Sequence, residues 1–214
     1  MTEQEWLTCA DPVEMRGFLR PKASDRSIAS DRKLRLYAVA CCNRILHLMT
    51  DERSRNAVDV AERFADGKAK YGELDAAAVA AKAVSGPGAS AARNVVRSSA
   101  NVASWFTAFA SRFDSEREAA GVPDQTEHEA QAELLRDIFG NPFHHIVVNQ
   151  AWLTPAVVSQ AQTIYEDRAF DRLLTLAVAL EEAGCNNADI LAHCRGIGPH
   201  VRGCWLVDLV LGKG

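Results

Sequence analysis

Apolar residues along this chain recur at three- and four-residue intervals, and alternation of β-branched with polar residues is nearly absent. That periodicity, in an alanine-rich sequence, predicts an all-α protein: a compact bundle of about ten helices. Helix punctuation supports it. "TEQE" at the start carries a capping box from Thr2 to Glu5,. "DPVE" follows, with Asp11 as cap and Pro12 at the first helical position,. The tetrapeptide ASDR occurs at 23–26 and again at 29–32, a short duplication placed in a surface loop, with Ser30 as the next cap,.

Residues 31–49 are apolar on more than one face. Leu34, Tyr37, Ala38, Cys41, Ile45 and Leu48 form one row; Val39, Cys42, Leu46 and Met49 form another. A helix apolar on two faces belongs at the centre of a bundle. Thr50 is the expected cap of the next helix, which Gly67 closes, and an alanine-rich helix follows over 73–85. The "SGPG" at 85–88 breaks it and is the one candidate for subdividing what otherwise reads as a single helical domain over 1–214,. The spacing then predicts one long helix over 89–120, its buried stripe formed by Val95, Val96, Val102, Trp105, Phe106, Phe109 and Phe113. A second capping box, Thr126 to Glu129, precedes a helix stopped at Gly140. Residues 141–152 read as extended. Helices are expected from Pro155 to about Arg168, over 170–183, from Asn187 to Arg195, and from Pro199 to Leu211. The segments 34–48, 89–113 and 199–211 are expected at the centre.

Composition narrows the function. Twenty-four basic against 28 acidic residues leave a net charge of −4, so no global field favours nucleic acid or an anionic membrane, and neither is an expected partner,. No apolar run is long enough for a membrane span, and the acidic start lacks the pattern of a secretory signal, which points to the cytoplasm,. The six cysteines have no framework spacing and read as reduced thiols,. There is no Gly-x-Ser-x-Gly and no recognisable cysteine nucleophile,. Glu181-Glu182 and Glu127 with Glu129 read as solvated acids, and Arg93 with Arg97 as surface charges one helical turn apart. Asp208 interrupts "CWLVDLVL"; a carboxylate buried there needs a partner, and an arginine is expected,.

The densest chemistry lies in "LAHCRGIGPHVRGCWL" (191–206). His193, Cys194, His200 and Cys204 are candidate metal ligands, and imidazole with thiolate suits zinc. If a helix begins at Pro199, His200 and Cys204 share one face, while His193 and Cys194 diverge by about 100° so that one of them serves. Cys41 or Cys42 would complete the set from afar. The first reading expects no cofactor: the cysteines serve as small buried hydrophobes and Gly-x-Gly-Pro as a tight helix–helix corner, with zinc at this corner as the alternative,. The same stretch also reads as an anion site, with Arg195, Gly198, His200 and Arg202 gathered before a helix N-terminus. His144-His145, in the extended segment, are candidates for a catalytic role.

The strings "ELLRDIFGNPF" (133–143), "WLTPAVVSQAQTIYEDRAFDRL" (152–173), "ALEEAGCNNADILAHCRGIGPHVRGCWLVDLVLGKG" (179–214) and "KLRLYAVACCNRILHLMTDERSRNAVDVAERFADG" (33–67) resemble an uncharacterised protein family of planctomycete bacteria. The resemblance covers most of the chain. It implies a bacterial cytoplasmic protein occurring in many related copies, with no reaction, ligand or catalytic residue attached. The doubled ASDR and the His144-His145 pair depart from the family's usual strings. Three functional expectations follow. The first is a non-enzymatic protein-interaction or regulatory module; the second is a metal- or anion-binding regulatory protein centred on 193–204. The third is an enzyme using the same corner together with His144 or His145.

Overall fold

A computed structural model describes residues 1–19, 29–118, 124–144 and 146–213, the side chains of 112–118 and 124–126 apart. Twelve α-helices and no strands occur among the described residues, an all-α bundle. In chain order they are α1 (Glu3–Thr8), α2 (Pro12–Leu19), α3 (Asp31–Arg44), α4 (Glu52–Ala65), α5 (Tyr71–Lys82) and α6 (Ala89–Val95), followed by α7 (Ala100–Glu118), α8 (Asp124–Phe139), α9 (Pro155–Asp167), α10 (Leu173–Glu182), α11 (Ala188–Arg195) and α12 (Trp205–Leu211). None of them is long and apolar enough to cross a membrane.

Several ends are set by the side chains that the sequence singles out. The capping box of α1 is complete: Thr2 accepts from the Glu5 amide and Glu5 accepts from the Thr2 amide. Asp11 accepts from the Val13 amide ahead of α2, and Ser30 from the Lys33 amide in α3. Asp51, not Thr50, caps α4; its carboxylate takes both the Arg53 amide and the Arg53 guanidinium, a stronger acceptor than a hydroxyl at the positive end of a helix,. Helix α8 starts at Asp124, two residues ahead of Thr126, whose side chain and the second expected capping box with it lie outside the described residues. Residues 141–144 form a turn and 146–152 an irregular run ending in a 3₁₀ turn, with no strand among the described residues. His145 and the first copy of ASDR lie outside the described residues.

Two larger differences have physical causes. The expected long helix of 89–120 is two helices, because the buried Arg35 side chain takes the carbonyl oxygens of Val95, Arg97 and Ser98 at 2.9–3.0 Å. These bonds hold the carbonyls at the break between the two helices, and Ser99 starts the next helix by accepting from the Val102 amide,. The buried face of α7 is also not the aromatic one. Ala103, Ser104, Thr107, Ala108 and Ser111 face inward, while Phe106 and Phe109 are exposed. Small residues let α7 approach α3 closely, its main partner,. Likewise the last helix starts at Trp205 rather than Pro199, so 199–204 is a turn-rich connection.

The core has three parts, and α3 joins two of them. Ala38, Val39 and Cys42 pack with α4, α5 and α6; Leu34, Tyr37 and Cys41 pack with α1, α2 and α8. The break at 85–88 is a corner inside the first part, since Leu74 and Ala81 before it share that core with Ala91 and Val95 after it. The third part is built from α9 to α12. It is tied to the rest by buried charge. Asp208 of α12 takes Arg32 of α3 bidentately at 2.6 and 3.0 Å, the expected arginine partner. Arg32 also reaches Asp66 and the Tyr165 hydroxyl. Arg202 binds Glu62 at 2.9 Å and the Tyr165 carbonyl at 2.8 Å, and Glu62 also takes Arg168. Glu127 is buried rather than solvated, paired with Arg44 and Gln131; Glu129, Glu181 and Glu182 are exposed as expected.

Replacing Arg35 by Met should therefore cost more than loss of an ordinary surface arginine. Three carbonyls lose their donor, and urea denaturation should show destabilisation of about 3 kcal/mol.

Candidate metal centre

Asp137 lies in the last turn of α8, next to Ile138, which anchors that turn in the core. His193 lies in the last turn of α11. Ile190 and Cys194 commit one side of α11 to the core formed with α9, α10 and α12. One residue earlier, rotated by about 100°, His193 faces α8 instead. The connection 196–204 then returns along the same place. Gly203 makes this return possible: its φ is 97°, and a Cβ there would stand 3.0 Å from Leu36 Cδ1 of α3,. Cys204 follows as the residue preceding α12.

These segments bring Asp137, His193, His200 and Cys204 together, with one ligand-type atom from each lying within 4.8 Å of all the others. His200 Nδ1 is 2.8 Å from Asp137 Oδ1, His193 Nε2 is 3.4 Å from the same oxygen, and His193 Nε2 is 3.1 Å from Cys204 Sγ. Tetrahedral bonds of the lengths zinc forms with N, O and S place ligand atoms ~3.2–3.7 Å apart. The separations of 2.8–3.4 Å lie near that spacing, while a pair as wide as 4.8 Å would have to close by about 1 Å to enclose an ion,. One carboxylate and one thiolate balance the charge of a divalent cation, and two neutral imidazoles complete four ligands.

The surroundings orient three of the four groups for that task. The Val201 amide donates to Asp137 Oδ2, leaving Oδ1 for the centre. His200 Nε2 is 3.3 Å from the Gly196 carbonyl, so a proton there leaves Nδ1 free as a ligand,. Backbone hydrogen bonds from Cys204 N to Val201 O and from Asp208 N to Cys204 O hold the cysteine in place. His193 is the exception. Trp205 Nε1 donates to His193 Nδ1 at 3.1 Å, which puts the proton of the neutral ring on Nε2, pointing at Cys204 and Asp137,. Coordination through Nε2 requires that proton to leave and Nδ1 to exchange Trp205 for an acceptor.

Protonation follows the same geometry. Burial alone would raise Asp137, yet hydrogen bonds and charge from His193 and His200 hold it below the usual carboxylate range. Burial works against a charged His200, but the bond to Asp137 outweighs it and raises the imidazole. Burial drives the Cys204 thiol well above its ordinary value, Asp137 adding to the effect; the Leu206 and Val207 amides offset part of it. A fully buried thiol of this kind, facing an N–H donor rather than a base, is no nucleophile,. A metal ion would deprotonate it directly. A cavity of about 220 Å³ lined by Glu133, Asp137, His193, Pro199 and His200 gives the cluster an opening to solvent.

The structure therefore brings together three of the four expected ligands and exchanges the other. Cys194 points into the core beside Cys185, its thiol pushed up to about 12 by burial, and Asp137 stands in its place. Cys41 and Cys42 are buried in two other parts of the core. Asp137 lies 63 residues before His200, and its signal in the sequence was the one that exposed Asp208: a lone acid within an apolar run, "LLRDIF". The expected anion set does not form. Arg195 turns to Glu181 at 2.6 Å, Arg202 turns inward to Glu62, and His200 is taken by Asp137. Gly198 precedes no helix, because α12 begins only at Trp205.

His144 stands apart, half-exposed between Glu3 (3.1 Å) and Asp189 (3.6 Å). It lines a cavity of about 610 Å³ that meets the cluster at His193 and Trp205. Gly140 lines the same cavity; its carbonyl accepts from Trp6 Nε1, and a Cβ there would stand 3.1 Å from the Trp205 ring.

Compared with known protein families, with curated proteins and with solved structures, the chain matches none.

Asp137 is the shared acceptor of the cluster. In metal-free protein, Asp137→Ala should cost about 3 kcal/mol in a denaturant titration, since it strands His200 and the Val201 amide.

Proposed function

We propose that the protein is a zinc-stabilised helical binding module, one ion held by Asp137, His193, His200 and Cys204. The observation that carries this reading is the gathering of four ligand-type atoms within 4.8 Å, drawn from three separate segments. Four protein ligands leave no open position for substrate or water, the arrangement of structural rather than catalytic zinc. The ion would tie the ends of α8 and α11 to the connection leading into α12. Such a centre performs no reaction. It fixes a surface, and the work of the protein is then binding, which joins the first and second expectations from the sequence.

Protein purified from zinc-supplemented medium should hold about one equivalent of zinc after dialysis, and a chelator should lower its melting temperature by roughly 10 °C. His200→Ala and Cys204→Ser should lose the ion; Cys194→Ala should keep it. A chain that retains no stoichiometric zinc and melts identically with and without chelator sinks the reading.

The tautomer of His193 provides a second check. Zinc binding should break the Trp205–His193 hydrogen bond, so metal titration should change tryptophan emission in the native chain. Trp205→Phe, with the other three tryptophans intact, should abolish that change.

A further inference from the structure

Far from the metal cluster, a cavity of about 560 Å³ opens between α5 and α6. Leu74, Ala78 and Val96 supply its apolar lining, and Lys82, Arg93 and Arg97 bring three positive charges to it against one carboxylate, Asp75. A local excess of two positive charges is notable in a chain whose net charge is −4,. Both guanidinium groups are held before any ligand arrives. Arg93 donates to the Val84 carbonyl at 2.7 Å and to Ser90 Oγ at 3.2 Å. Arg97 donates through Nε to Asn94 Oδ1 at 3.0 Å, and its guanidinium lies 5.0 Å from the centre of the Phe106 ring. The terminal nitrogens of Arg97 and the ammonium of Lys82 find no acceptor among the described residues. Beneath them, buried Arg35 holds the carbonyls of Arg97 and Ser98, so the segment bearing Arg97 is fixed from behind as well.

We infer that this cleft binds a small phosphorylated molecule. Two anchored arginines, one in α6 and the other just beyond its end, and a facing lysine supply charge-assisted donors for a phosphate dianion,. Anchoring lowers the ordering cost of binding. The volume is that of a small-molecule site, and the exposed Tyr71 ring at its edge offers a stacking surface for an aromatic body,. A long polyanion is disfavoured, because the acidic chain offers it no extended basic track,. The inference is independent of the metal centre, which shares no residue with this cleft.

Calorimetric titration at low ionic strength with adenosine monophosphate, inorganic phosphate and adenosine tests it. Adenosine monophosphate should bind with a dissociation constant below ~1 mM, inorganic phosphate about ten-fold more weakly, and adenosine without measurable heat. Lys82→Glu and Arg97→Glu change exposed side chains and should leave melting and helix content as they are, while each weakens nucleotide binding at least ~ten-fold,. Absence of binding by both phosphate compounds at ~10 mM overturns the inference. So does adenosine binding as well as its monophosphate, or binding that survives both charge reversals.

Discussion

Burying a cation obliges the fold to find it acceptors, and the first turns of α3 bury or half-bury three: Arg32, Lys33 and Arg35,. Their acceptors come from five separate places. Arg32 draws in Asp208 of α12, Asp66 at the end of α4 and Tyr165 of α9. Lys33 takes the Ile138 carbonyl at the end of α8, and Arg35 takes the turn between α6 and α7. Apolar packing is non-directional and would tolerate several arrangements of these helices; the hydrogen bonds of three fixed cations admit far fewer. The cluster of Asp137, His193, His200 and Cys204 inherits this order. Asp137 adjoins Ile138, and Cys204 lies one turn ahead of Asp208, so α3 holds two of the cluster's three segments without contributing a ligand.

What could be read from the sequence was whatever is decided locally. Caps at Thr2, Asp11 and Ser30 depend on neighbours two or three residues away, and the two-faced pattern of 31–49 marked the central helix. The carboxylate in "CWLVDLVL" announced an arginine, although not which one. Most of the misses are long-range, although the cap of α4, Asp51 rather than Thr50, was decided locally. Nothing near residue 97 says that Arg35 will take its carbonyl and end a helix. Phe106 and Phe109 look like part of a core face until α3 is seen to require small residues against it. Glu127 reads as a surface acid because Arg44 is distant in sequence. Of the cluster, His193, His200 and Cys204 were legible from their density in one stretch. The choice between His193 and Cys194 turned on which side of α11 the core would claim, and Asp137 comes from another helix altogether.

The two proposed sites sit on different parts of the core. The phosphate cleft belongs to the α4–α6 side, and the metal cluster lies where the α9–α12 part meets α8. Their chemistry is also opposite. The cleft carries three positive charges against one carboxylate, the excess on which the proposed anion site rests. The cluster encloses mixed acid, imidazole and thiol, a set that satisfies itself by hydrogen bonding until a cation displaces its protons. Arg35 and Arg32, two positions of one helix separated by a single turn, hold the scaffolds of the first and the second respectively.

Gly140 gives this arrangement an unexpected weak point. Its backbone turns through φ 66°, and a side chain there would come within 3.1 Å of the Trp205 indole. The indole in turn decides which nitrogen of His193 carries a proton. Any larger residue at 140 would thus shift a ring, and through that ring the hydrogen bond that orients His193. Inheritance of this chemistry requires keeping an achiral residue as faithfully as any donor atom, although that residue has no functional group at all.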